Sequence, residues 1–290
     1  MKLECRNLTK KYGDKRAVDE VSLVLESGHI YGLIGRNGAG KTTLLSLMSN
    51  QNPATSGAVT LDGEDIWENR KAIDRICFAR ELSANAESGV SGYSVRNYLK
   101  TASCYYRNWD QQMADELVKK FGLEPKKKLG KLSKGMLSMV TIIVALASKA
   151  AFTFLDEPVA GLDVIARRQF YQLLMQEYTQ TGRTFVISTH IIEEAADILE
   201  EVVILDNGRI LLKEPTESLL ARACTVSGLD EAVTHALNGL PAHGKTQIGR
   251  KTIVTVLLEE GQQLDLDCDV TVSPVSLQDL FAALCGEALL

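Results

Sequence analysis

Hydrophobic and polar positions along this chain follow two different periods, and the change between them divides it. Up to Phe78 the apolar residues come in short runs between polar turns, which predicts strands over residues 3–8, 18–25, 30–34, 57–61 and 76–78. One helix, residues 41–49, interrupts them and is closed by Asn50 and Pro53. From Ser94 the spacing turns helical: Val95, Tyr98 and Leu99, then Met113, Leu117, Val118 and Phe121, as far as the break at Gly122. Residues 82–148 therefore read as a helical insertion. Apolar runs at residues 152–155, 184–187 and 202–205 follow, with helices between them, the pattern of parallel strands buried on both faces. The expected fold class is α/β.

After Leu212 the pattern weakens and a new alternation begins at Pro215. It predicts a helix over residues 217–223, strands over 224–227, 245–248, 252–258 and 270–273, and a last amphipathic helix over 277–284. A small α+β domain over residues 213–290, behind a larger one over residues 1–212, is the expected organisation. Dimerisation or docking is its plain use, and no residue pattern in it points to catalysis.

Composition narrows the class. The chain has 290 residues, 45% hydrophobic and 24% charged, the make-up of an ordinary globular protein with room for one large core and a small one. A formal net charge of −5 supplies no footprint for nucleic acid, and the basic run Lys126, Lys127, Lys128 reads as a solvated face. The polar start carries no apolar signal core, and the longest apolar run, residues 139–147, is too short to cross a bilayer. Membrane association is thus expected through a partner. Six cysteines without a C-x-x-C pair fit reduced thiols in packing roles.

The candidate chemistry begins at residues 35–42, GRNGAGKT, which fit the phosphate-binding pattern G-x-x-x-x-G-K-[ST] directly after a strand. Gly35, Gly38 and Gly40 permit a tight turn with inward N–H groups around Arg36, Asn37 and Ala39, and the helix opening at Lys41 adds its positive end. In that pattern Lys41 reaches the β- and γ-phosphates and Thr42, next to Thr43, ligates Mg²⁺. A glycine-rich turn is the other reading of eight residues alone. A second signal is FTFLDE, residues 152–157, a hydrophobic strand ending in two acids: Asp156 is placed to hold Mg²⁺ and Glu157 to orient or deprotonate an attacking water, unless they are a surface pair. Ahead of it, LSKGM at residues 132–136 sets Ser133 as an N-cap and Gly135 as an exposed backbone donor at a helix start.

The order and spacing of these pieces resemble the ATP-binding cassette (ABC) family over about residues 1–212. The resemblance implies a P-loop fold with a mixed sheet core, an N-terminal antiparallel β-subdomain and a helical subdomain, binding ATP and Mg²⁺. LSKGM resembles the signature LSGGQ, with Lys134 for Gly and Met136 for Gln. The resemblance makes Tyr12 the aromatic residue on adenine, residues 160–163 ending at Asp163 the D-loop, and His190 the switch histidine on the γ-phosphate. Where the family has its Q-loop glutamine the sequence reads ICFARE, so Glu81 is the expected metal and coupling contact, with Glu87 or no equivalent residue as the alternatives. Function follows as an expectation: the ATPase subunit of a bacterial transporter, of exporter type, on the cytoplasmic face of the membrane. Its partners would be transmembrane permease subunits and a second nucleotide-binding subunit closing head to tail, with no nucleic acid. The alternatives are an ABC ATPase acting on ribosomes or DNA, disfavoured by the single cassette and acidic balance, and an ATP-sensing regulator, disfavoured by Glu157.

Overall fold

The computed structural model describes residues 1–82, 89–259 and 261–286. In chain order its elements open with β1 (Lys2–Tyr12), β2 (Lys15–Glu26), β3 (Ile30–Ile34), α1 (Lys41–Met48), β4 (Ser56–Leu61), β5 (Glu64–Asp65), α2 (Arg70–Ile73) and β6 (Ile76–Ala79). The helical segment contributes α3 (Val95–Ser103), α4 (Gln111–Lys120) and α5 (Lys134–Ala147). Then come β7 (Phe152–Asp156), α6 (Val164–Thr181), β8 (Thr184–Thr189), α7 (Ile192–Ala196), β9 (Glu201–Asp206) and β10 (Arg209–Pro215). The chain continues through α8 (Thr216–Ala221), β11 (Ala223–Leu229), α9 (Asp230–Leu237), β12 (Ala242–Ile248), β13 (Lys251–Leu257), β14 (Val270–Pro274) and α10 (Leu277–Gly286).

Among the described residues these strands form three sheets. The central one has the order β10-β9-β3-β8-β7-β6 and is parallel except for β10, which pairs antiparallel with β9. β3 lies inside it with all five residues buried, as a continuous apolar run requires. An antiparallel sheet, β2-β1-β4-β5, covers one face, and one core, with Leu3, Leu8, Leu25, Tyr31, Leu44 and Phe154, fills the space between. On the other face α3, α4, α5 and α6 enclose a second core with Ile34, Leu99, Leu117, Ile142, Phe170 and Ile187. The expected α/β class and its antiparallel and helical parts are therefore present.

Four elements differ from expectation: β5 and α2, short pieces between the expected strands at 57–61 and 76–78, and β10 and α9. β10 was not expected as a strand: its apolar residues, Ile210, Leu211 and Leu212, are a run of only three at exposed and half-buried positions, and it completes the edge of the central sheet, running to Pro215. α9 was missed because Val233, Ala236 and Leu237 are a thin apolar stripe, although Asp230 and Glu231 in its first turn and Asn238 in the left-handed region at its end (φ 46°) are ordinary helix bounds. The last sheet, β12-β13-β11-β14, packs its own small core of Val226, Val233, Val254 and Val256. α10 packs on β12, where a Cβ on Gly244 would come 3.0 Å from Ala283, and also buries Leu277 and Leu280 in the core that holds Ile192 and Ala195 of α7, while Gln278 donates to Glu193 Oε1 at 3.0 Å.

One buried charge cluster ties the helical layer to the sheet. Arg183 donates to the carbonyls of Ala145 (2.6 Å) and Leu146 (3.1 Å), closing the C-terminal end of α5, which has no basic residue of its own in its last turn. Burial pulls the guanidinium below its usual range, and the charge of Glu177 opposes that. Glu177, 2% exposed, receives both Lys149 (2.9 and 3.0 Å) and Arg183 (3.6 Å). Removing the carboxylate leaves two cations without it, so Glu177→Ala is expected to cost about 3 kcal/mol, read as a lower urea midpoint; a loss below about 1 kcal/mol contradicts this account.

Candidate active site

The loop after β3 is shaped by backbone that leaves no room for side chains. Gly40, the N-cap of α1, has φ 106°, and a Cβ there would lie 2.2 Å from the carbonyl oxygen of Ala17. A Cβ at Gly35 would lie 2.4 Å from the carbonyl oxygen of Leu205. The Gly208 N–H donates to the Ala39 carbonyl at 2.9 Å, so the loop is held between β2 and the turn joining β9 to β10. Gly38, φ 84°, faces open space, and Arg36 and Asn37 are exposed. Only glycine serves at position 40, where the conformation and the close approach both exclude a side chain.

Beside this loop lies a cleft of about 350 Å³ lined by Tyr12, Lys15, Ala17, Asn37, Gly38, Gly40, Lys41, Thr42, Thr43 and Glu157. Lys41 is buried, and its Nζ donates to the carbonyls of Gly35 (2.6 Å) and Arg36 (3.2 Å). Burial pushes its ammonium below the usual range, while the charges of Glu157 and then Asp156 act the other way. Tyr12 is 52% exposed, with Lys10 Nζ 5.3 Å from the ring centroid. Lys15 and Ala17 were not anticipated; the hairpin register, which sets Lys15 opposite Tyr12, is the signal that would have found Lys15.

At the strand tips, Asp156 is buried and accepts from Ser188 Oγ at 2.7 Å, a pairing set by the parallel register of β7 and β8. Glu157 adopts a left-handed backbone (φ 49°) that costs a non-glycine residue about 1–2 kcal/mol, and its N–H donates to the Ser188 carbonyl at 3.0 Å. The strained turn carries the Glu157 side chain onto the cleft, where Oε2 lies 2.7 Å from Nδ1 of His190. Ser188 thus orients both acids, a role the sequence did not mark.

The residues suit a polyphosphate and a hard cation. The glycine cradle, the start of α1 and Lys41 present donors, and Thr42 and Asp156 offer oxygen ligands. Among the described residues no three His, Cys, Asp or Glu side chains gather as a self-contained metal site.

The remaining expected residues lie apart from this cleft. Ser133 caps α5, accepting from the Met136 N–H at 3.3 Å; a Cβ on Gly135 would come 2.5 Å from the Gly161 carbonyl, and Ser138 Oγ donates to the Ala160 carbonyl at 2.7 Å. Asp163 caps α6 through the Ala166 N–H at 2.8 Å. None of residues 133–136 lines the cleft, and neither does Glu81, whose carboxylate is 2.9 Å from Lys134 Nζ. Glu87 lies outside the described residues.

Comparison with known proteins decides the family. Residues 18–160 match the family model described as "ABC transporter". The taurine import ATP-binding protein TauB of Escherichia coli strain K12 is 32% identical over 224 residues, 73% of this chain and 84% of that protein. The chain belongs to the ABC transporter family. The bacitracin transport ATP-binding protein BcrA of Bacillus licheniformis is 29% identical across 98% of this cassette protein and 97% of its own length. Nod factor export ATP-binding protein I of Rhizobium meliloti is 28% identical across 99% and 89%. A dimeric, post-hydrolysis structure of the ATP-binding cassette MJ0796 bound to ADP and Pi superposes with a TM-score of 0.64 at 25% identity, covering 74% of this chain and 98% of that one. The ABC protein is accordingly an ATP-binding transporter subunit with ATPase activity.

The cradle gives this cassette a direct test. Gly40→Ala is expected to lower ATP affinity at least about tenfold and stability by more than about 1 kcal/mol. Gly13→Ala, where φ is also positive (57°) but no atom lies within 4 Å, is the control for backbone strain alone. Titration calorimetry and thermal unfolding read the two effects, and equal losses at both positions would count against the steric explanation.

Proposed function

We propose that this chain is the ATP-hydrolysing subunit of an exporter, working as one of two cassettes beneath permease subunits at the inner face of the cell membrane. The observation that supports the export reading is one full-length alignment. The Nod factor export relative of Rhizobium meliloti covers 99% of the chain, and the bacitracin transport relative 98%, so both extend into residues 213–290, while the taurine import relative covers 73% and a second Nod factor export relative, of Burkholderia lata, 75%. No helix among the described residues is long and apolar enough to cross a membrane, so the work must reach the bilayer through a partner. Residues 1–212 form the nucleotide-binding part in this reading, its edge strand β10 extending to Pro215, and residues 213–290 an accessory α+β domain.

In the proposed site Tyr12 takes the adenine face, and Gly35, Arg36, Asn37, Gly38, Ala39, Gly40, Lys41, Thr42 and Thr43 surround the phosphates. Lys41 exchanges the loop carbonyls for phosphate oxygens, a better match for a buried ammonium. Thr42 and Asp156 would hold Mg²⁺, which supplies charge neutralisation to the phosphates when bound. Glu157 takes the proton of the attacking water, held at the cleft by its strained backbone and by His190. Ser133, Lys134, Gly135 and Met136, lying off the cleft, face the nucleotide of the second cassette, with Asp163 at the junction. ATP then favours the closed pair and hydrolysis reopens it, a differential affinity that membrane helices can follow.

Glu157→Gln is expected to lower kcat by about a hundredfold or more while nucleotide still binds, and turnover of the free chain should rise faster than linearly with protein concentration because each site needs a second cassette. Near wild-type turnover in the variant would remove Glu157 from its role. Purification of the detergent-solubilised complex should bring an integral membrane subunit; bound RNA or DNA in its place would overturn the transport reading. Cells producing the complete complex should lose cargo efflux with Glu157→Gln, and loss of uptake instead would reverse the direction.

A further inference from the structure

Two charged residues from distant parts of the chain meet outside the cleft. Glu81 lies just beyond β6, and Lys134 is the first residue of α5; Nζ and Oε1 are 2.9 Å apart, with the side chains 60% and 44% exposed for Lys134 and Glu81. Lys134 also lies against the D-loop segment. A Cβ on Gly161, φ 76°, would come 2.8 Å from Lys134 Cγ and 3.2 Å from the Gly135 nitrogen, so the absent side chain at 161 leaves the space the lysine stem occupies.

For stability alone the placement of Lys134 is poor. An ammonium at the first position of a helix meets the positive end of the macrodipole, and α5 has no acidic residue in its first turn to offset it. Glu81 supplies that carboxylate from another segment. An exposed pair of this kind is weak, worth at most about a fivefold change in an equilibrium, so it holds the lysine without locking it. A triphosphate carries more negative charge than one carboxylate, and it is met in a closing, drying interface where charge interactions strengthen.

We infer that Glu81 is a positioning residue acting through Lys134: it holds the ammonium in the single chain and gives it up to the triphosphate bound by a second copy when the two close. The inference rests on the paired-cassette reading above. It moves Glu81 from metal contact to counter-charge, and makes the Glu81–Lys134 pair a term that opposes closure. The exchange changes partners without bond-making, and its drive is the difference between the two states.

The test is a double-substitution cycle on the full-length chain: wild type, Glu81→Gln, Lys134→Gln and both together. Pairing is followed by light scattering against a non-hydrolysable ATP analogue with Mg²⁺, and steady-state KM, kcat and the Mg²⁺ half-activation concentration are measured in parallel. Glu81→Gln should lower the analogue concentration for half-maximal pairing about threefold, and Lys134→Gln should raise it about fivefold. Glu81→Gln should have little effect once Lys134 is gone, and all shifts should shrink at high salt. KM should move more than kcat, with Mg²⁺ half-activation unchanged by Glu81→Gln. Additive effects, or a raised Mg²⁺ requirement in Glu81→Gln whatever stands at 134, would overturn the inference and return Glu81 to the metal. A wild-type chain that binds the analogue yet stays single at every concentration would overturn the paired reading as well, whereas wild-type pairing with additive effects sinks this inference alone.

Discussion

The close approach of backbone to backbone around residues 35–40 is the constraint on which the cleft depends. The carbonyls of Ala17 and Leu205 stand where side chains at 40 and 35 would go, so the loop adopts a path open only to glycine at those two positions. Those carbonyls come from two different sheets. Ala17 is in β2 of the antiparallel layer, and Leu205 is in β9 of the central sheet, so the loop is correct only when both layers have docked. Lys41 shows the same dependence: its ammonium is buried on two loop carbonyls, poised on acceptors that a phosphate can replace.

The carboxylates are governed by register. β7 and β8 pair so that Asp156 lies opposite Ser188, which donates its hydroxyl to Asp156 and accepts the N–H of Glu157. Slipping that register by one residue would send the acids to the opposite face. The left-handed backbone at Glu157 is strain concentrated at the point where the side chain must turn into the cleft, and the surrounding buried strands over-determine it. His190 follows β8 directly, so the same pairing brings its ring to Glu157.

Packing links this centre to the end of the chain. α10 buries its apolar side chains beside α7, the helix that begins shortly after His190, and adds the Gln278–Glu193 hydrogen bond. The last sheet has a core of its own, yet its final helix belongs to the large core of the cassette. α10 thus joins the C-terminal segment to the layer that holds α7 through buried side chains as well as one hydrogen bond.

Local pattern determined much of this protein. The run of residues 30–34, the glycines of 35–40, the acids ending FTFLDE and the N-cap serine before α5 each carry their meaning within a few residues, because strand period, turn geometry and capping are short-range physics. The strands at 30–34, 152–156 and 184–189 and the helix from Lys41 accordingly lie where the periodicity sets them. Only the tertiary structure decided that Arg183 closes α5, that β10 completes the central sheet, that Ser188 orients both acids and that Glu81 meets Lys134. Each of these joins segments remote in sequence, and no period or spacing encodes which remote groups meet; for Arg183 and Ser188 that is settled when buried polar atoms and charges must find partners as the layers close, and for the exposed Glu81–Lys134 pair by where the packed layers leave the two segments.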